Sequence, residues 1–215
     1  MSARMGQDER LLRYRIGQRI VHALLATSFV LLLITGLALI VPFMRPLAEG
    51  GTSRLNHRVA AGLFMAVPLV YLIVDWRGAL ELVKESFTYD RDDLEWGKHS
   101  YRYFFGHAVD MPPQGRLNAG QKVHHAGVII FSALVVLSGL ALWFGKGMLG
   151  PMGLSTAALL HDVSMFTLTI LLVGHLYFTY VYKALSSMTT GYVPLEDAEI
   201  EHAKWVEEMQ GEAAS

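Results

Sequence analysis

The sequence predicts an all-α integral membrane protein, a bundle of four transmembrane helices with a short amphipathic surface helix. Its composition is the first indication: 53% of the 215 residues are hydrophobic and 17% are charged, against roughly 25% charged in an ordinary globular domain. The second is the presence of four separate apolar stretches, each long enough to cross a bilayer. Four spans and their connections use nearly the whole chain, so we expect a single membrane domain over residues 1–215.

Each predicted span satisfies the length rule for a transmembrane helix. About 20 mostly apolar residues are needed, because in hydrocarbon every backbone polar group must be bonded inside the helix. The first stretch is too long for the apolar part of a cleavable signal, so we expect it to be retained. The predicted spans are about Ile20–Phe43, His57–Val74, Val123–Phe144 and Leu159–Tyr182.

The polar connection Asp75–Lys122 contains the predicted surface helix. Its apolar residues Leu80, Leu82, Val83 and Phe87 follow an amphipathic pattern. The other two connections are short and rich in proline and glycine, which is typical of tight turns.

The distribution of basic residues predicts the orientation. An even number of spans places both termini and the connection 75–122 on the same side, together with fourteen of the eighteen Lys and Arg residues. Because basic residues concentrate on the cytoplasmic side, we expect both termini, the connection and the tail 183–215 to be cytoplasmic.

Two features exclude whole classes of function. The formal net charge of −1 offers no basic excess for a nucleic-acid partner. The chain has no cysteine, which excludes disulfides, iron–sulfur ligation and covalent haem attachment within it. A redox centre would therefore need other ligands, and the nine histidines are the obvious source.

Four of these histidines fall at two depths of the predicted bundle. His161 and His175 lie fourteen residues apart on the fourth span, which separates them by ~21 Å and turns them within about 40° of each other. His57 opens the second span on the outer side, and His22 opens the first span on the inner side. Depth therefore pairs His57 with His161 and His22 with His175.

Two facing histidines are typical of bis-imidazole haem ligation, in which the iron transfers electrons and has no open position for a substrate. Zinc or copper is the competing interpretation, but two nitrogen ligands per site are too few for a closed tetrahedral site. We therefore expect two b haems. His125 is an alternative inner ligand to His22, and we expect His99, His107 and His202 at the surface or in subunit contacts.

A weak internal repeat relates the first and third spans. His22-Ala23 precedes Thr35-Gly36-Leu37-Ala38-Leu39, and His125-Ala126 precedes Ser138-Gly139-Leu140-Ala141-Leu142 at the same spacing. Small residues recur wherever membrane helices pack closely. Alternatively, Gly36 and Gly139 leave room for a flat macrocycle.

Several motifs together give the chain a family resemblance over nearly its whole length. They are His22, Asn56-His57-Arg58, the segment Leu117–Lys122, the pair His161 and His175, and Met188–Val193 after the last span. With these motifs the chain resembles the gamma subunit (cytochrome b) of membrane-bound respiratory formate dehydrogenases. The segment Asn118-Ala119-Gly120-Gln121-Lys122 is the most specific of them.

The resemblance implies that His57 and His161 hold an outer haem b and that His22 and His175 hold an inner one. It also implies a quinone, menaquinone or ubiquinone, beside the inner haem and in contact with Asn118, Gly120 and Gln121. From the residues alone, Asn118 could equally cap the third span. Arg19 and Arg58 could pair with haem propionates, or could anchor the helices at the headgroups.

The resemblance further implies partners: an iron–sulfur beta subunit, and a catalytic alpha subunit that contains molybdenum or tungsten. Electrons from formate would enter on the outer side of a bacterial inner membrane and reduce the quinone near the cytoplasm, in an oligomer of such heterotrimers. Two other classes stay open. One is the cytochrome b subunit of a nickel–iron hydrogenase or a sulfur-compound reductase, and the other is a membrane anchor without haem.

Overall fold

The computed structural model describes residues 10–214. Within that range four helices are long and apolar enough to cross a membrane, and the predicted all-α membrane fold is confirmed. They are α1 (Ile16–Ile40), α2 (Thr52–Val74), α6 (Ala119–Phe144) and α7 (Pro151–Val181).

The four helices begin earlier than the apolar stretches do, by four to eight residues. Hydropathy detects only the part of a helix that lies in hydrocarbon, whereas polar first turns continue the same helix into the interface. The first helix ends at Ile40 rather than Phe43, because Pro42 cannot continue it. Short 3-10 turns over Pro42–Gly51 then lead into α2, and Gly50 and Gly51 adopt the left-handed φ angles that this reversal requires.

The described residues form two compact units. The apolar unit comprises residues 20–80 and 127–172, and it holds α2 and most of the other three long helices. Large apolar side chains remain exposed along it; for example, Ile73 of α2 is 81% exposed and Ile170 of α7 is 72% exposed. Exposed apolar surface on this scale is expected for helices that face lipid.

The polar unit comprises the described residues up to 19, together with 81–126 and 173–214. The connection between α2 and α6 contains the surface helix that the sequence predicts, α3 (Trp76–Phe87), and two further helices, α4 (Arg91–Lys98) and α5 (Ser100–Phe104). The start of α4 is fixed by a capping box, in which Asp90 and Asp93 each accept a hydrogen bond from the other's backbone N–H.

The tail, for which the sequence analysis predicts no secondary structure, is folded in the polar unit. Strand β1 (Arg10–Leu12) pairs antiparallel with β2 (Tyr192–Pro194), with Leu11 opposite Val193. The remaining tail elements are α8 (Leu185–Thr190), α9 (Leu195–Glu201) and α10 (Ala203–Ala214). Val193, Ala198, Trp205 and Val206 are buried together and join β2, α9 and α10 into one small core, against which Leu11 of β1 packs.

Candidate functional site

The first candidate site lies in the apolar unit, where His57 of α2 faces His161 of α7. Their ring centres are 6.3 Å apart and their planes are inclined by 66°, and both residues are half-buried. The sequence paired these two histidines by depth alone, and the structure brings their rings together.

The separation of the two rings fits one iron held between them. An imidazole nitrogen lies roughly 2 Å from a bound transition metal, so two rings on opposite sides of one iron have centres about 6 Å apart. In addition, Nδ1 of each ring is hydrogen-bonded to a neighbouring helix, His57 to the Thr35 hydroxyl at 2.9 Å and His161 to the Val135 carbonyl at 3.0 Å. Nε2 of each ring is therefore the nitrogen available to bind an iron.

The glycines of the internal repeat make room for these two rings. A Cβ on Gly139 would lie 3.0 Å from Cε1 of His161, and a Cβ on Gly36 would lie 3.4 Å from Cε1 of His57. These glycines could have served close helix packing or made room for a macrocycle. In the structure, the imidazoles of His57 and His161 occupy the space beside them.

The predicted inner ligands lie on α1 and α7. His22 is exposed on α1 in the apolar unit, and His175 belongs to the part of α7 in the polar unit. The ring of His124 stacks on that of His175, with centres 5.2 Å apart and planes inclined by 15°. The repeat drew attention to His125, whereas the ring that stacks on His175 is that of its neighbour, His124. Adjacent residues of a helix diverge by about 100°, so at most one of the two faces a given haem. The pairing of His22 with His175 stays a prediction.

The three predicted quinone contacts all have partners within the polar unit. Asn118 is buried; its Oδ1 accepts the backbone N–H of Gln121 at 2.9 Å, and its Nδ2 donates to the Tyr103 hydroxyl at 3.2 Å. Gly120 lies beneath Trp96, where a Cβ would come within 2.9 Å of the indole. The side chain of Gln121 accepts the backbone N–H of Asn118 and a hydrogen bond from Arg13. These contacts give the segment a capping and packing role, and quinone binding by it stays a prediction.

Tyr103 is the centre of a network of hydrogen bonds and stacked rings that no sequence motif indicates. The Tyr103 hydroxyl donates to Glu201 of the tail at 2.9 Å, and its ring stacks on Tyr182 with centres 4.0 Å apart. Burial raises the pKa of the Glu201 carboxyl, while burial and the adjacent carboxylate raise the pKa of Tyr103. Neither residue belongs to a local motif, and nothing in the sequence connects positions 103 and 201.

Arg19 has partners that its position in the sequence did not indicate. Its guanidinium donates to the backbone carbonyls of Met188, Thr189 and Thr190, and so binds the C-terminal end of α8. Arg58 lies over the ring of Trp143, 5.3 Å from its centre.

The expectation that His202 lies at the surface or in a subunit contact is wrong. Its side chain is buried in the polar unit against Trp205, and its Nδ1 bonds to the Gly115 carbonyl at 2.8 Å. Burial lowers the pKa of His202 to about 3. The acidic composition of the tail did not predict that it would bury a neutral imidazole.

Comparison with known families decides the class of protein. The family model described as prokaryotic cytochrome b561 matches residues 13–191. The chain belongs to this family. Membership implies that the cytochrome carries haem b, and together with the four apolar helices it makes the cytochrome a multi-pass membrane protein.

The cytochrome also has relatives of similar length. It is 25% identical over 214 residues to the formate dehydrogenase cytochrome b556(fdo) subunit of Escherichia coli strain K12, which covers 96% of each chain. It is 25% identical over 211 residues to the formate dehydrogenase cytochrome b556 subunit of Haemophilus influenzae, covering 95% of the cytochrome and 85% of that protein. The resemblance drawn from the sequence motifs is thereby confirmed.

Proposed function

We propose that this cytochrome is the di-haem subunit of a respiratory formate dehydrogenase that delivers electrons to a quinone. The observation that carries the proposal is the pair His57 and His161, whose rings are spaced as two ligands of one iron require. Bound between them, a haem would supply reversible one-electron transfer at an iron with no position open to substrate.

The second proposed site joins His22 to His175. It is supported by the predicted depth of the two histidines in the bilayer, because each lies near the cytoplasmic end of its helix under the proposed orientation. The ring of His124, which stacks on that of His175, would be a further polar group beside this proposed ligand. Two irons at different depths would carry electrons across the bilayer one at a time.

The proposed quinone site lies at the start of α6, around Asn118, Gly120 and Gln121. The two side-chain amides already have internal partners, so we propose that they hold the shape of the site and that a quinone reaches it near His124. Formate loses two electrons and one proton as it becomes carbon dioxide, and the quinone takes up two electrons and two protons. With the site on the cytoplasmic side, those two protons come from the cytoplasm.

The proposed partners follow from the chemistry that the chain lacks. The chain has no cysteine, so iron–sulfur clusters that pass electrons to a haem between His57 and His161 must be held by another subunit. Formate oxidation likewise belongs to a separate subunit with molybdenum or tungsten. The named functions of the relatives from Escherichia coli and Haemophilus influenzae support this assembly over a hydrogenase, and we propose the bacterial inner membrane as its location, with both termini in the cytoplasm.

The test is purification of the intact complex from membranes through an affinity tag on this chain. We expect a co-purifying iron–sulfur protein and molybdenum or tungsten, and we expect formate to reduce the haem of the complex. Nickel in the preparation, together with reduction by hydrogen and not by formate, would assign the chain to a hydrogenase. A preparation without any haem spectrum would leave only a membrane anchor.

A further inference from the structure

Each imidazole of the outer pair contacts a hydroxyl at an equivalent position of the internal repeat. Nδ1 of His57 lies 2.9 Å from Oγ1 of Thr35, and Nδ1 of His161 lies 3.2 Å from Oγ of Ser138. Thr35 immediately precedes Gly36, and Ser138 immediately precedes Gly139. The repeat therefore supplies the same two parts to each ring, a hydroxyl oxygen and a position without Cβ.

The hydroxyl hydrogens are directed toward the helices' own carbonyls. Thr35 donates to the Leu31 carbonyl at 2.6 Å, and Ser138 donates to the Leu134 carbonyl at 2.7 Å. A hydroxyl has one hydrogen to donate and two lone pairs to accept with. Toward the histidines, both oxygens are therefore acceptors.

It follows that Nδ1 of each ring carries the hydrogen. For His161 the Val135 carbonyl gives independent support, since a carbonyl 3.0 Å from Nδ1 can only accept. A neutral imidazole protonated at Nδ1 keeps its lone pair on Nε2, the nitrogen that would bind an iron.

We propose that Thr35 and Ser138 are positioning residues, which fix the tautomer and ring orientation of the outer histidine pair and raise the basicity of the iron-binding nitrogens. This inference rests on the proposed haem function. Groups that accept from the distal N–H of a ligating histidine make it a better ligand, and their loss typically weakens metal binding or activity by about ten- to a hundredfold.

The decisive variants separate the hydrogen bond from side-chain shape. Thr35→Val removes the acceptor at nearly constant volume, and Thr35→Ser keeps the hydroxyl but removes the methyl group. Thr167→Val is the matched control, because among the described residues the Thr167 hydroxyl bonds only to the Val163 carbonyl of its own helix. Ser138→Ala tests the second ring. Each ring also has a backbone carbonyl beside it, that of Leu32 at His57 and that of Val135 at His161, so we expect comparable effects at the two rings.

The readouts are haem transfer from the purified complex to an apo-protein scavenger and the midpoint potential of each haem. We expect Thr35→Val to lose its outer haem about ten- to a hundredfold faster and to raise that haem's potential, because a less basic ligand stabilises the ferric iron less. We expect Thr35→Ser and Thr167→Val to match the wild type.

Two results would overturn the inference. One is equal haem transfer and equal potentials in Thr35→Val and Thr167→Val. The other is an equal defect in Thr35→Val and Thr35→Ser, which would assign the effect to packing of the methyl group. A wild-type complex without haem would instead refute the proposed function, so that the two failures are distinguishable.

Discussion

Replacing Lys122 by methionine removes the cation that faces Asp93 inside the polar unit. Lys122 Nζ lies 2.6 Å from Asp93 Oδ2, and the two side chains are only 14% and 3% exposed. Removing one partner of a buried ion pair costs about 3–5 kcal/mol, because the remaining charge stays buried without compensation. Asp93 retains the backbone N–H of Asp90 at 2.8 Å, so we expect a loss near the lower limit, about 3 kcal/mol.

A loss of this size is a large share of the free energy of unfolding, which is about 5–15 kcal/mol in most domains. The assay is thermal unfolding of the purified cytochrome in detergent, with protease cleavage of the connection 75–118 as a second probe. Lys98→Met is the matched control, since the Lys98–Glu95 pair is 66% and 45% exposed and such pairs contribute about 0–1 kcal/mol.

The double variant Lys122→Met with Asp93→Asn identifies the cause. An asparagine can still accept the Asp90 N–H and carries no charge, so we expect it to restore most of the lost stability. The part of the stability that is not restored, about 0.5–1 kcal/mol, comes from the lost contact of Lys122 with the Tyr89 ring, whose centre lies 5.9 Å from Nζ. The reasoning would be refuted if Lys122→Met unfolded at the wild-type temperature, or if the double variant were no more stable than Lys122→Met.

Two further variants test separate features. In Gly139→Ala the new methyl group lies 3.0 Å from His161 Cε1. Overpacking of about 1–3 kcal/mol should weaken haem binding roughly five- to 150-fold. Gly62→Ala, with nothing within 4 Å, should keep its haem, and equal haem content in the two variants would contradict this. His202 stays neutral in the folded chain down to about pH 3 but takes up a proton below pH 6.5 when unfolded, so stability should fall by up to about 1.4 kcal/mol per pH unit below 6.5. The raised pKa of Glu201 acts in the opposite direction and is common to wild type and His202→Gln. The variant should therefore show a flatter pH dependence of thermal unfolding, and parallel profiles would disprove the assignment.

The sequence was sufficient for the long helices and for the pairing of His57 with His161. Both depend on one-dimensional regularities: the length of apolar stretches and the rise of an α-helix, which places His57 and His161 at one depth. Hydropathy could not locate the helix starts, because the first turns of α2 and α7 are polar or interfacial while their backbone is already helical.

The polar unit escaped prediction because its contacts join distant parts of the chain. β1 is three residues long and exists only by pairing with β2, more than 170 residues later. His202 is buried by contacts with segments that show no pattern of their own. The segment around Asn118 shows a further limit, since one motif can mark both a helix cap and a ligand contact, and only three-dimensional contacts reveal the cap.

Haem content per chain, measured together with the reduced-minus-oxidised spectrum, tests the central claim most directly. We expect two b haems in the wild-type cytochrome, one in His57→Ala and in His161→Ala, and two in His99→Ala, whose histidine is exposed in the polar unit. Wild-type haem content and an unchanged spectrum in His161→Ala would show that the facing rings of α2 and α7 do not hold an iron.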